Sequence, residues 1–253
     1  MVVGAPGRAR TAPRYARALA TGCVAPVTGC VGGAVLHGGM TTATEALTDP
    51  RSSVRLRAVM ALGTAADPDD LDVLLERCAV EPDLQVREAL TWSLVRLPGA
   101  LVVPRLVDQL DRPEAQARSQ ALHTLSKIRD VSVYPAVVAA LGDPDPGVSR
   151  TAWRAAVLLA PTEERPALAR RLARELGTGD RERRLALSRA LVTLGEDVVA
   201  PVLAEAATRR GETVREHVAD TERLLTDPDA GSALAVERAR RETALGRGKR
   251  ASG

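Results

Sequence analysis

The 253-residue sequence contains no phenylalanine and no asparagine, a single isoleucine (Ile128) and two lysines (Lys127 and Lys249). Aromatic residues make up only 2% of the chain: Tyr15, Trp92, Tyr134 and Trp153. β-Sandwich and barrel cores lean on aromatic and β-branched side chains. A core drawn from Leu, Val and Ala points instead to closely packed helices. The absence of Asn and the scarcity of Ile and Lys fit codon bias in a GC-rich genome and are not read as adaptation. No run of eighteen apolar residues occurs, so no membrane-spanning helix is expected.

Cysteine and histidine are also sparse. Cys23 and Cys30 lie near the N-terminus and Cys78 stands alone in the body, so no disulfide can form within the body. That usage agrees with a cytoplasmic protein. His37, His123 and His217 are far apart and near no Cys pair, so no metal site is expected. There is no phosphate loop, no nucleophile elbow, no His-Glu-x-x-His and no paired-Cys pattern. The expectation is therefore no catalytic residue, no cofactor and no enzyme.

Charge is present but unevenly placed. The net charge of +3 and pI near 9.0 point at first to an anionic partner. Residues 1–39 carry Arg8, Arg10, Arg14 and Arg17 with no acid, hence +4. Residues 237–253 carry another +4. The body, residues 40–236, holds 25 basic against 30 acidic residues and is net −5. A basic protein on paper is an acidic body with basic ends, which argues against nucleic acid as partner of the folded part.

Residues 1–40 are rich in Gly, Ala, Pro and Arg and lack periodicity. They read as a disordered tail or as a stretch ahead of a true start at Met40. Val27-Thr28-Gly29-Cys30 resembles a lipobox, but Gly22, Cys23 and Pro26 make a poor apolar segment before it. From residue 47 the chain repeats itself. Val54–Leu62, Val86–Leu94, Ala117–Leu125, Val148–Ala156 and Ala186–Leu194 align, and a degenerate copy starts at Val214. Apolar or small residues fall at offsets 0, 4, 5 and 8, apart from Thr91, and form one helix face. A second helix alternates with the first on an i, i+3, i+4, i+7 template, as in Leu71/Leu74/Leu75/Cys78 and Val103/Leu106/Val107/Leu110. Tyr134/Val137/Val138/Leu141 and Val199/Val202/Leu203/Ala206 follow it, and Leu168, Leu172 and Leu176 give a looser version. Pro104, Pro135, Pro166 and Pro201 fall near the expected starts of these helices, where a missing N–H costs little. Asp-Pro pairs at Asp49, Asp67, Asp143 and Asp227 mark the joins.

One helix pair cannot bury its apolar face, whereas stacked pairs can. The expected fold is all-α, a right-handed α-solenoid (superhelix) of five to six helical hairpins over residues 41–230. A capping helix is expected at 231–245 and a disordered basic tail at 246–253. The period near 31 and the pattern Asp49…Val54-Arg55…Ala58 resemble HEAT repeats, in the short form also found in phycobilin lyases. The resemblance covers residues 47–225 approximately. It implies a structural ladder in which an Arg column (Arg55, Arg87, Arg118 and Arg215) meets turn acids Asp49, Asp83 and Asp143 or Asp145. Ser149 and Leu187 interrupt the column, and the 38-residue spacing before copy five predicts a change of curvature between residues 160 and 182.

The concave face of such a solenoid is lined by the Val-Arg helices. Their offsets 3, 6 and 10 carry Arg57, Met60, Trp92, Arg96, Gln120, His123, Lys127, Arg154 and Arg189, a mixed strip that reads as a groove for a protein segment. Trp153, at offset 5, is expected in the core, Cys78 as an inert core thiol and His217 as exposed. The function implied is a non-catalytic scaffold or adaptor binding another macromolecule, a protein above all. Two alternatives also follow from resemblance. One is a HEAT-fold enzyme, similar to alkylpurine DNA glycosylases or bilin lyases. The other is the detached effector cassette of a MerR-like transcriptional regulator, which the run Ala117–Ile128 resembles.

Overall fold

The computed structural model describes residues 43–209 and 211–227, and among them there is helix and no strand. The expected N-terminal tail, the capping helix at 231–245 and the basic tail at 246–253 lie outside the described residues. Eleven helices of six residues or more are found here: α1 (Ser52–Ala65), α2 (Leu71–Val80), α3 (Leu84–Arg96), α4 (Gly99–Asp108), α5 (Ala115–Ile128) and α6 (Tyr134–Ala139). They continue as α7 (Pro146–Leu159), α8 (Arg165–Ala173), α9 (Arg181–Thr193), α10 (Glu196–Ala207) and α11 (Glu212–Thr226). The chain divides into two compact units, one ending at Ala152 and one beginning at Trp153.

In the first unit the Val-Arg helices lie side by side, α1 against α3 and α3 against α5. The intervening helices form a second layer, with α2 and α4 each packed on α3 and α5. The two apolar templates become the two facing surfaces. Ala58, Val59 and Leu62, then Val86, Leu90 and Leu94, then Ala117, Ala121, Leu122 and Leu125 are buried on one side. Leu71, Leu74, Leu75, Cys78, Val103, Leu106 and Val107 answer them from the other. Burial of each Leu or Val contributes on the order of 1.5–3 kcal/mol, offset by the entropy of ordering the chain.

The second unit uses the same plan, with α9 against α11 and with α8 and α10 in contact. Its core includes Leu168, Leu172, Leu176, Leu187, Leu191, Val199 and Leu203. Trp153 is buried there, as its offset predicts, and the Arg183 guanidinium lies over its ring at 4.6 Å. The extra length before copy five falls on residues 174–180, between α8 and α9, where Gly177 and Gly179 take φ of +84° and +74°.

Helix starts follow capping chemistry. Asp83 accepts from Gln85 N and Val86 N, and Asp180 from Arg183 N. Two of the prolines depart from expectation. Pro135 and Pro166 occupy the first turns of α6 and α8. Pro104 and Pro201, however, sit inside α4 and α10, because those helices begin earlier, at Gly99 and Glu196. Each removes an interior N–H donor, a local cost that the buried faces of α4 and α10 override.

Candidate functional site

Each Val-Arg helix of the first unit is preceded by a turn x-Pro-x, with Asp49, Glu81, Arg112 and Asp143 at the first position. The column arginine six residues later reaches back to this turn. Arg55 Nη1 donates to Asp49 O and Pro50 O at 2.8 and 3.0 Å. Arg87 Nη1 donates to Glu81 O and Pro82 O at 3.2 and 3.1 Å. Arg118 Nη1 donates to Arg112 O and Pro113 O, both at 2.9 Å. The other edge of the guanidinium points to the next turn. Arg55 thus grips Glu81 through Nε and Nη2 at 2.9 and 2.7 Å. Arg118 grips Asp143 in the same way at 2.8 and 2.9 Å.

The Arg118–Asp143 rung is the one expected from sequence, while three expected acids are placed otherwise. Asp83 is spent capping α3, and its rung is made by Glu81, two residues earlier. Asp145 likewise caps α7, accepting from Gly147 N and Val148 N. The Asp49 carboxylate pairs with exposed Arg51, which holds its pKa down at about 2, while only its carbonyl serves Arg55. Arg215 is exposed and meets no carboxylate among the described residues. Glu81 is the centre that the sequence reading missed. Its side chain is fully buried and also accepts from Arg77 Nε at 2.8 Å and Asp83 N at 2.9 Å. Burial opposes its ionisation, but Arg55, Asp83 N–H and Arg77 together hold its carboxyl below the ordinary range. The acid-Pro-Asp spelling shared by residues 81–83 and 143–145 was the available signal.

The strip of candidate binding residues divides by burial. Arg57, Met60, Trp92, Arg96 and Lys127 are exposed on α1, α3 and α5. Arg154 and Arg189 are exposed in the second unit. Gln120 does not belong to an open surface. It is buried between α3 and α5 and donates to Arg87 O and Thr91 Oγ1 at 3.1 and 2.6 Å, because offset 3 on α5 faces its neighbour. His123 is partly covered, with Nε2 3.5 Å from the Glu88 carboxylate.

Trp92 is 37% exposed and Met60 41%, on adjacent helices. The indole does not swing freely. It packs over Gly63, where an added Cβ would lie 2.5 Å from the ring and 2.3 Å from Ser93 Oγ. Arg96 covers it at 5.0 Å and donates from Nε to Gly63 O at 2.6 Å. Gly63 thus lets α1 and α3 approach closely, and the approach fixes Trp92 with one face outward. Val95, exposed on α3, adds apolar area.

His217, expected at the surface, is buried in the second unit. Its Nδ1 accepts from Gly177 N at 3.0 Å, and Nε2 lies 2.9 Å from Arg184 O and 3.0 Å from Ser188 Oγ. Ser188 Oγ in turn is 2.8 Å from Thr221 Oγ1. A ring nitrogen that accepts a backbone N–H carries no proton, so His217 is the neutral Nε2–H tautomer. Burial pushes its pKa down. This role was invisible in the sequence, because the partner that hides the ring is 40 residues away. Cys78 is buried, as expected, and burial pushes its thiol up to about 12. Among the described residues no cluster of three His, Cys, Asp or Glu side chains could hold a metal ion. No helix among them is long and apolar enough to cross a membrane.

Alternating helices in two facing layers, joined by recurring x-Pro-x turns, define an all-α solenoid of helical hairpins. The model for HEAT repeats matches residues 39–95 and 103–183, more than half of the sequence, and the chain belongs to the HEAT-repeat family. Among curated proteins, no match to the sequence was found. Similar solved structures include an engineered protein at 18% identity, covering 76% of this chain and 97% of its own, with a TM-score of 0.41. The CpcE–CpcF complex of phycocyanin lyase from Nostoc sp. PCC7120 is 18% identical, covers 80% and 82%, and has a TM-score of 0.42. Human deoxyhypusine hydroxylase in complex with glycerol is 20% identical, covers 78% and 88%, and has a TM-score of 0.40.

Proposed function

We propose that this protein is a non-catalytic HEAT-repeat scaffold that binds another protein through the open face of α1, α3 and α5. The observation that carries the reading is Trp92: a large ring, held in one pose by Gly63 and Arg96, with more than a third of its surface outward. Pre-fixed aromatic and arginine side chains are the groups that dominate protein interfaces, because little entropy remains to be lost on contact. Met60 and Val95 extend the apolar area, and Arg57, Arg96 and Lys127 rim it with positive charge. That chemistry fits a partner segment combining an apolar anchor with acidic neighbours.

The test is capture of partners by the full chain from the organism that encodes it, with cross-linking and mass spectrometry. Met60→Glu and Lys127→Glu alter exposed positions and should leave helicity and melting unchanged. A specific protein captured by the native chain should fall at least ten-fold with either variant, and with Trp92→Ala. Capture that survives all three variants, or retention of nucleic acid in place of protein, removes this reading.

A further inference from the structure

The x-Pro-x turns contain a substitution that leaves one arginine in an unusual position. Arg55, Arg87 and Arg118 are anchored alike, each through Nη1 on the two carbonyls of its own turn. This shared anchor sets the Nε–Nη2 edge toward the first residue of the following turn. Arg55 finds Glu81 there and Arg118 finds Asp143. For Arg87 the corresponding residue is Arg112, whose backbone holds the same place because its carbonyl anchors Arg118 as Glu81 O anchors Arg87. The Arg112 guanidinium is turned away, onto Glu76 at 2.6 Å and Glu114 at 3.0 Å. Among the described residues no acceptor meets Arg87 Nε or Nη2. A guanidinium, half-buried and pinned on one side, therefore presents a fork with no acid in the slot that its two sister rungs fill.

We propose that the Nε–Nη2 edge of Arg87 is a carboxylate-binding site, completed by an Asp, Glu or C-terminal carboxylate of a protein partner. The chain supplies the geometry twice over: in the filled rungs the carboxylate oxygens lie 2.7–2.9 Å from both nitrogens. A planar fork already held in position recognises a bidentate carboxylate and loses little entropy in doing so. The site lies at the start of α3, apart from Trp92, and does not depend on the reading of that surface.

The test uses the full chain labelled with 15N and follows arginine Nε–H resonances, with Arg87 assigned through Arg87→Lys. Acetate is titrated against chloride at constant ionic strength. The Arg87 resonance should shift and saturate, while those of Arg55 and Arg118, whose forks are filled, should move at least ten-fold less. Arg112→Glu or, with a shorter side chain, Arg112→Asp places an acid in the slot and should abolish the acetate response of Arg87. The proposal is overturned if the Arg87 shift is no larger and no more saturable than that of exposed Arg57. It is equally overturned if a folded Arg112 acid variant responds to acetate as the native chain does.

Discussion

At the scale of single residues, the first unit leans on Glu81. Its carboxylate is fully buried and is shared between Arg55 and Arg77, themselves largely covered. Removing one partner of such a cluster strands the others, at a cost of about 3–5 kcal/mol. Glu81→Gln should lower stability by that amount in urea unfolding at neutral pH, whereas Asp49→Asn, in an exposed pair, should change it far less. The folded carboxyls of Glu81 and Asp143 are both held low, against burial, by arginine forks and backbone N–H groups. Their contribution is complete above the unfolded carboxyl range, near pH 4, and is lost as pH falls through the lower folded values.

His217 has the opposite chemistry and acts at higher pH. The folded ring resists protonation because it is buried, and because a second ring proton would turn the Gly177 N–H contact into donor against donor. The unfolded chain binds that proton below about pH 6.5. The second unit should therefore lose stability progressively from about pH 6.5 downward, levelling off only at the folded pKa. Unfolding of the native chain at pH 7.5 and 5.5 measures the slope, and His217→Gln should flatten it while lowering stability at both values. The burial of His217, against a surface position expected from sequence, shows what periodicity omits. His217 stands at offset 3 of the copy that starts at Val214, which turns inward beside Val218, Thr221 and Leu224 as Gln120 does on α5, and Gly177, Arg184 and Ser188 enclose the ring.

At the scale of elements, the inter-helix spacing is decided by small side chains. α1 and α3 approach at Gly63, where a methyl group would meet Ser93 Oγ at 2.3 Å and Ser93 Cβ at 2.8 Å. Gly63→Ala gains about 0.5–1 kcal/mol of helix propensity. It must also push the helices apart, and overpacking costs on the order of 1–3 kcal/mol. A net loss is expected in thermal unfolding, partly recovered in Gly63→Ala with Ser93→Gly. Helix number, alternation and buried faces were legible in the sequence because a period near 31 and two apolar templates state them directly. Helix starts were less so: Pro104 and Pro201 suggested starts four to five residues late, since packing keeps those prolines inside α4 and α10. The ladder was half legible. Its arginines follow a fixed pattern, but its acids lie at the first turn residue, where Glu81 replaces the aspartate sought and Arg112 reverses the charge.

At the scale of the whole molecule, contacts run between neighbouring helices, and the two units have separate polar centres at Glu81 and His217. A repeat protein of this kind loses structure locally before it loses it globally. In hydrogen exchange, Glu81→Gln should deprotect α1, α2 and α3 while α9, α10 and α11 keep their native rates. Uniform deprotection of all six helices would show a single cooperative block instead.

The poverty in aromatic residues leaves the described residues with two indoles, Trp92 in the first unit and Trp153 in the second. Trp153 is 1% exposed and Trp92 37%. Intrinsic emission should therefore resolve into a blue, shielded component and a red, quenchable one without any label. Iodide should extinguish the Trp92 component first, the more so because Arg96 draws the anion to its ring. Each half of the molecule thus carries its own lamp, and a ligand that settles on α3 should dim or shift only one of them.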